Sequence, residues 1–217
     1  MRRSHSPLPR ISGAEAVLIL GGESRRMGQD KATRPLAGVP LYQYGYRLTC
    51  ALFDRVRLVG HPRGASTAPI PLEIEPDRHP GLGPLTGVET ALSGARESWV
   101  FILACDHPFV TPQFVRALAA LRAEDVDVVC PHDGTRALPT LGFYRASVLV
   151  EVRSRLDGQD RSLRGALESL RPRWLTASDL EAVDPQGVCR WNLNAPHDWE
   201  RAESALRDGS IDRWIDG

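Results

Sequence analysis

The sequence predicts an α/β fold: a Rossmann-like, mostly parallel sheet with helices on both faces. Two observations carry this expectation. Short apolar runs alternate with helical patterns through the first 130 residues, the order that builds parallel strands joined by helical crossovers. Loops rich in glycine or proline also follow several of the apolar runs, where ligands sit beyond the carboxyl ends of strands in such sheets. With 217 residues the chain has the length of one domain. A chain of this size buries roughly 70% of its unfolded surface and needs no disulfide or structural metal to fold.

Residues 1–13 hold two prolines and several arginines and read as a disordered tail, leaving 14–217 as a single domain. Residues 15–20 (Glu-Ala-Val-Leu-Ile-Leu) form an apolar run ended by Gly21-Gly22 and read as a buried strand. A polar loop runs to about Lys31, and residues 40–53 have a helical pattern. Residues 55–59 are a short strand, 61–71 a loop, 72–75 a further strand, 76–84 a glycine/proline loop and 85–95 a helix. Residues 99–103 (Trp-Val-Phe-Ile-Leu) make the clearest buried strand. Thr111-Pro112 then opens a helix to about residue 122, Thr111 as N-cap and Pro112 at the first helical position. Strands over 126–129, 139–144 and 174–177 and helices over 146–156, 163–170 and 196–206 complete the reading, the last capped by Asn194 or a neighbour.

Composition excludes several function classes. Lys+Arg and Asp+Glu both number 27, so the basic excess of a nucleic-acid binder is missing. No apolar run approaches the roughly 20 residues of a membrane span. Cys50, Cys105, Cys130 and Cys189 form no Cys-x-x-Cys pair, and the start lacks the apolar core of a signal peptide, which together suit a cytoplasmic protein. The histidines are scattered without zinc-type spacing. Lys31 is the sole lysine; every other basic residue is arginine. A chain that uses arginine wherever the two interchange keeps lysine where a compact ammonium is wanted.

Two loops carry the chemistry. The first, Leu20 to Lys31 (Leu-Gly-Gly-Glu-Ser-Arg-Arg-Met-Gly-Gln-Asp-Lys), directly follows the first strand. Its glycines let the backbone bend and bring N–H groups to an anion, and Arg25, Arg26 and Lys31 add positive charge suited to a triphosphate. Neither the Walker A spacing nor the dinucleotide Gly-x-Gly-x-x-Gly fits it. The second loop begins at Asp106, where the strongest strand leaves the sheet. A carboxylate there is a hard oxygen ligand for Mg²⁺, which takes one or two carboxylates plus phosphates and waters; capping of the following turn is the alternative role. His107 reads as an exposed turn residue, Cys105 as packing, and Arg145, Arg153, Arg155, Arg161 and Arg164 as a solvated face, with contact to an anionic phosphate as their alternative role.

The first loop resembles the signature of the molybdenum cofactor guanylyltransferases, roughly Gly-Gly-x-Ser-x-Arg-Met-Gly-x-Asp-Lys. Asp106, Pro108 and Phe109 match that family's Asp-x-Pro-Phe, and Gly83-Pro84-Leu85-x-Gly87 its base-side element. The resemblance implies a GT-A-like nucleotidyltransferase sheet and transfer of GMP from GTP to molybdenum-bound molybdopterin, with Mg²⁺ as cofactor. It implies Arg25, Lys31 and Asp106 as catalytic residues and Asp106 as metal ligand. It places the nucleotide on Ile19, Leu20, Gly21, Gly22, Ser24, Arg25, Lys31, Asp77, Gly83, Pro84, Leu85 and Asp106, with residues 14–110 as the nucleotide half and 111–217 as the acceptor half. Asn192, Asn194 and Pro196 match a late Asn-x-Asn-Thr-Pro element, so the two asparagines are assigned to the acceptor side, with Ala195 in place of Thr. Residues 138–140 and 158–163 are weaker matches that would face a second substrate, and an anionic pterin phosphate is the contact that the five arginines above would take in their alternative role. Molybdoenzymes or other cofactor-biosynthesis proteins are further implied partners. Leu20 departs from the small residue usual before the two glycines, and no Asn stands at 59–61, where guanylyl enzymes carry one. A CTP-using cytidylyltransferase, another sugar- or metabolite-phosphate nucleotidyltransferase and a non-catalytic nucleotide sensor remain the competing readings.

Overall fold

The computed structural model describes residues 8–20, 31–60, 73–79, 81–158 and 160–211. Nine strands and seven helices follow along these residues. They are β1 (Ala14–Ile19), β2 (Pro35–Leu36), β3 (Val39–Pro40), α1 (Leu41–Leu52), β4 (Val56–Val59), β5 (Ile74–Glu75), α2 (Pro84–Ser93), β6 (Trp99–Ala104) and α3 (Pro112–Ala120). Then come β7 (Val128–Pro131), β8 (Leu141–Arg145), α4 (Leu149–Asp157), α5 (Leu163–Glu168), β9 (Pro172–Leu175), α6 (Ala177–Val183) and α7 (Pro196–Arg207). Among them no helix is long and apolar enough to cross a membrane.

Seven strands form one sheet in the order β5-β4-β1-β6-β8-β7-β9. All pairings are parallel except those of β8, which runs antiparallel to β6 and β7. The sheet is therefore mostly parallel, as the alternating sequence predicts. Successive residues of a strand face opposite sides, and two separate cores result. Ala16, Leu18, Phe101, Leu103 and Phe143 pack with the buried faces of α1, α3 and α7. Val17, Ile19, Val100 and Ile102 pack with α2, α4 and α5 on the other face. Strands buried on both sides cannot alternate polar and apolar residues, which is why β1 and β6 read as continuous apolar runs.

One charged residue interrupts β1. Glu15 is fully buried, and its carboxylate accepts from Arg57 Nε at 3.0 Å and from the Arg96 backbone N–H at 2.9 Å. Arg57 is itself buried and also donates to Glu75 at 2.9 Å, so this pair ties three parallel strands together. Of the expected tail, residues 1–7 lie outside the described residues, and in 8–13 Ile11 is buried while the other five are exposed. Ile11 is buried in the first core and its N–H donates to Leu52 O at 2.8 Å, while Arg122 donates to Ser12 O at 3.1 Å.

Three local elements go beyond the sequence reading. Residues 35–40 form a tight β2–β3 hairpin, with Ala37 and Gly38 both at positive φ as a twist-matched two-residue turn requires. Residues 177–183 are helical and start on a capping box, with Asp179 accepting from the Thr176 N–H at 2.9 Å. A one-turn 3-10 helix spans Val188–Arg190. Thr111 caps α3 as expected, accepting from Phe114 N at 3.3 Å.

The connectivity places the ligand crevice. From β1 the chain crosses through α1 to β4 on one side, then through α2 to β6 on the other. The strand order thus reverses between β1 and β6, and ligands bind outside the carboxyl ends at such a switch point. Ile19 pairs with Ala104 at that edge, so the chain leaves the sheet side by side after β1 and after β6.

Candidate active site

Residues far apart in the chain meet at that crevice. Lys31 Nζ lies 3.2 Å from Asp106 Oδ2 and donates to Asn194 Oδ1 at 2.7 Å. The side chains of Lys31 and Asp106 are 14% and 21% exposed, so the pair sits in a partly desolvated cleft. Asp106 Oδ1 is buried and makes no hydrogen bond, which leaves a carboxylate oxygen with its lone pairs available. Asn194 is positioned by α7. Asp198, in the first turn, accepts from the N–H groups of Asn194 at 2.8 Å and Ala195 at 2.6 Å. The cap of α7 is thus Asp198 closing back on residues 194–195; Ala195, at the N-cap position, has no side-chain acceptor to offer.

The C-terminal segment seals the floor of the site. Leu193 N donates to Asp106 O at 2.9 Å, and Phe109 meets Trp191 edge to face at 6.0 Å. His107 corrects the sequence reading: it is 2% exposed, not a solvent-facing turn residue. Burial holds its pKa below the ordinary imidazole value, outweighing the raising effect of Asp106. The ring is therefore neutral at pH 7, with Nε2 3.8 Å from Asp106 Oδ1 and Nδ1 without a hydrogen-bond partner. The neighbouring Asp106 carbonyl accepts from Leu193 N, a long-range contact that the local sequence does not encode.

The other predicted site residues fall into three groups. Gly21, Gly22, Ser24 and Arg25 lie outside the described residues, as do Arg26, Gly28 and Asp30. Ile19 and Leu20 are buried. Their backbone is engaged with neighbouring strands: Cys105 N donates to Ile19 O at 2.9 Å and Leu20 N to Val59 O at 2.8 Å. Gly83, Pro84 and Leu85 start α2, and Gly83 has φ +89°, a conformation that favours glycine. Gly87 of the same element sits where a Cβ would meet Ile19 Cδ1 at 3.0 Å, so α2 packs close against β1. Asp77 is half-buried just beyond β5, and Asn192 is half-buried beside Leu193.

The thiols are packing groups: burial pushes Cys130 and Cys189 up to about 12, far from a reactive thiolate. The arginines read as a solvated face divide. Arg145 donates to Val126 O at 3.0 Å and lies 4.7 Å from the Trp99 ring centre, and Arg153 donates to buried Glu89 at 2.9 Å. Both are structural because tertiary partners neutralise or cap them. Arg164 is exposed, as expected.

Among the described residues no group of three or more His, Cys, Asp or Glu side chains could hold a metal ion. A lone carboxylate with an unpartnered oxygen suits a cation that takes the rest of its ligands from substrate phosphates and water, the habit of Mg²⁺.

Comparison with known proteins bears on the family and the fold. Residues 16–174 match the model of the MobA-like NTP transferase domain. A molybdenum cofactor guanylyltransferase of Pseudomonas syringae pv. syringae is 32% identical over 199 residues, covering 88% of this chain and 92% of that protein. One of Desulfosudis oleivorans is 28% identical over 209 residues, covering 93% and 100%. The crystal structure of molybdopterin-guanine dinucleotide biosynthesis protein A from Archaeoglobus fulgidus superposes with a TM-score of 0.75 at 24% identity, covering 89% of this chain and 99% of that one.

Proposed function

The chain belongs to the MobA-like NTP transferase family, and from that premise we propose that it transfers GMP from GTP to the phosphate of molybdenum-bound molybdopterin. The observation that carries the reading is the meeting of Lys31, Asp106 and Asn194 at the switch point of the sheet. An ammonium beside a carboxylate with a spare oxygen can hold phosphates on one side and a cation on the other. The relatives named molybdenum cofactor guanylyltransferase support the choice of nucleotide and acceptor.

In the proposed reaction an acceptor phosphate oxygen forms a bond to the α-phosphorus of GTP. The bond from that phosphorus to the bridging oxygen of the β-phosphate breaks, and pyrophosphate leaves with the electron pair. The nucleophile is already ionised at neutral pH, so the site has no need of a strong base, and the chemistry rests on positioning and charge stabilisation. Asp106 would hold Mg²⁺, which would neutralise phosphate charge when bound. Lys31, with Arg25 from the preceding loop, stabilises the charge on departing pyrophosphate. Asn194 keeps the ammonium directed into the crevice, and Asp198 fixes the asparagine through the backbone. Asp77 and the Gly83-Pro84-Leu85 turn lie on the β5 side of the crevice, where the guanine and ribose would rest.

The test is pyrophosphate release from GTP, CTP, ATP and UTP with Mg²⁺, each with and without molybdenum-bound molybdopterin. Release from GTP only when the acceptor is present is the expected result. Release from CTP instead would keep the mechanism and overturn the base assignment. Nucleotide binding without release from any of the four would favour a sensor.

A further inference from the structure

A cleft of about 360 Å³ lies in the acceptor half of the sheet, between α5 and the loop from β7 to β8. That volume lies within the range of small-molecule sites. His132 and Trp174 form one wall, with ring centres 5.3 Å apart, and Pro139 and Leu167 add apolar surface. Arg136 and Arg164 stand at its edge. Their ion pairs are long, 3.8 Å to Asp133 and 3.6 Å to Glu168, so both guanidiniums can turn to a ligand. The Arg136 loop is nonetheless organised: Asp133 Oδ1 accepts from the N–H groups of Thr135 and Arg136, each at 2.9 Å.

The cleft lies two strands and more along the sheet from β6, on the β8–β7–β9 side. β7 and β9 run parallel to each other and in the same direction as β6, so their carboxyl ends open on the same edge of the sheet. Pro139 lines the cleft, and the next residue, Thr140, accepts from Ala104 N at 2.8 Å, two positions before Asp106. The β5 edge, beside Asp77 and α2, lies on the far side of β1 and β6. A nucleotide held there leaves the β7–β9 side to the second substrate.

We propose that this cleft seats the planar heteroaromatic ring system of the acceptor against Trp174 and His132, with Arg136 and Arg164 meeting its negative charge. This rests on the proposed transfer to a phosphorylated pterin. An aromatic wall suits any flat bicyclic ring, and guanidiniums add preference for an anion.

The experiment measures acceptor KM and GTP KM by pyrophosphate release for the wild type, Trp174→Ala and the doubly substituted Arg136→Ala/Arg164→Ala. In parallel, equilibrium dialysis follows pterin-6-carboxylate, a small anionic bicycle, on the same three proteins. Loss of a stacking wall is expected to raise acceptor KM roughly 10- to 100-fold. GTP KM stays within about twofold and the probe is no longer retained. The arginine pair is exposed, so its variant folds, and a rise of roughly 3- to 10-fold is expected there. Acceptor KM within twofold of wild type in both variants overturns the inference, whatever the probe does. If the wild type shows no acceptor-dependent release, the transfer reading fails and dialysis alone judges the cleft. Retention by the wild type and loss in both variants then sustains it, and no retention by the wild type overturns it.

Discussion

Lys31 and Asp106 are expected to be energetically coupled even before any substrate binds. At 3.2 Å and an effective dielectric near 20 the bare attraction is about 5 kcal/mol, an upper bound before desolvation is subtracted. Fully exposed pairs retain about 0.2–1 kcal/mol, whereas breaking a buried pair costs about 3–5 kcal/mol. With side chains 14% and 21% exposed, this pair falls between, and a coupling of about 1–2 kcal/mol follows. The assay is a double-mutant cycle by urea unfolding, using Lys31→Met, Asp106→Asn and both together. Either single change leaves one charge without its partner, so the double variant should be more stable than the summed losses predict. The same variants should lose pyrophosphate release for a different reason. Each removes charge-assisted contacts worth about 1.5–3 kcal/mol, a fall of roughly 10- to 150-fold in kcat/KM. A coupling below about 0.3 kcal/mol would refute the paired geometry, and release within twofold of wild type in both single variants would refute the catalytic assignment.

Elsewhere the fold gives sharper stability tests. Glu15→Gln removes the charge that compensates buried Arg57, and although Arg57 keeps Glu75, a loss of about 3 kcal/mol is expected by denaturant unfolding; a loss under about 1 kcal/mol would show that β1 and β4 do not depend on the pair. Gly142→Ala would place a Cβ 2.4 Å from Val129 O, a backbone atom that cannot swing away, so β8 must shift; the expected cost is about 2 kcal/mol or more, read from the urea midpoint, and an unchanged midpoint would contradict that packing. Hydrogen bonding from Arg171 holds the Asp127 carboxyl below its ordinary value of 3.8. A depressed acid stabilises the fold above its unfolded pKa and loses that contribution as pH falls through the folded one. With Arg171 mostly exposed, the contribution is about 1 kcal/mol or less, so Asp127→Asn should narrow the stability gap between pH 6 and pH 3; an unchanged gap would rule the pair out as an acid-sensitive contact.

The parts of the fold that were legible in the sequence are those where burial leaves a local mark. β1 and β6 are buried on both faces and therefore read as unbroken apolar runs. Thr111-Pro112 announces α3 because the cap and the first-turn proline act within a few residues. The β2–β3 hairpin was not legible, since Ala37 at φ +46° is not a residue that signals a turn. α6 has only Leu180 buried, so it carries no apolar stripe to detect. Arg145 and Arg153 illustrate the other limit. A long cation looks solvated until the tertiary fold supplies the carbonyl of Val126 or the carboxylate of Glu89.

The site follows the same division, and its most informative feature is the one that the chain order conceals. Lys31 and Asp106 could be placed near each other from strand alternation alone, because each follows a strand that must end at the same edge of a parallel sheet. Asn194 could not, for it comes after the last strand of the sheet. It reaches Lys31 because Leu193 N bonds to Asp106 O and Asp198 closes the start of α7 on residues 194–195. In the same stretch Trp191 meets Phe109. The C-terminal segment is therefore part of the same crevice as Lys31 and Asp106. Its asparagine accepts from the Lys31 ammonium at 2.7 Å, so a residue 163 positions later in the chain fixes the direction of the charge that the proposed reaction uses.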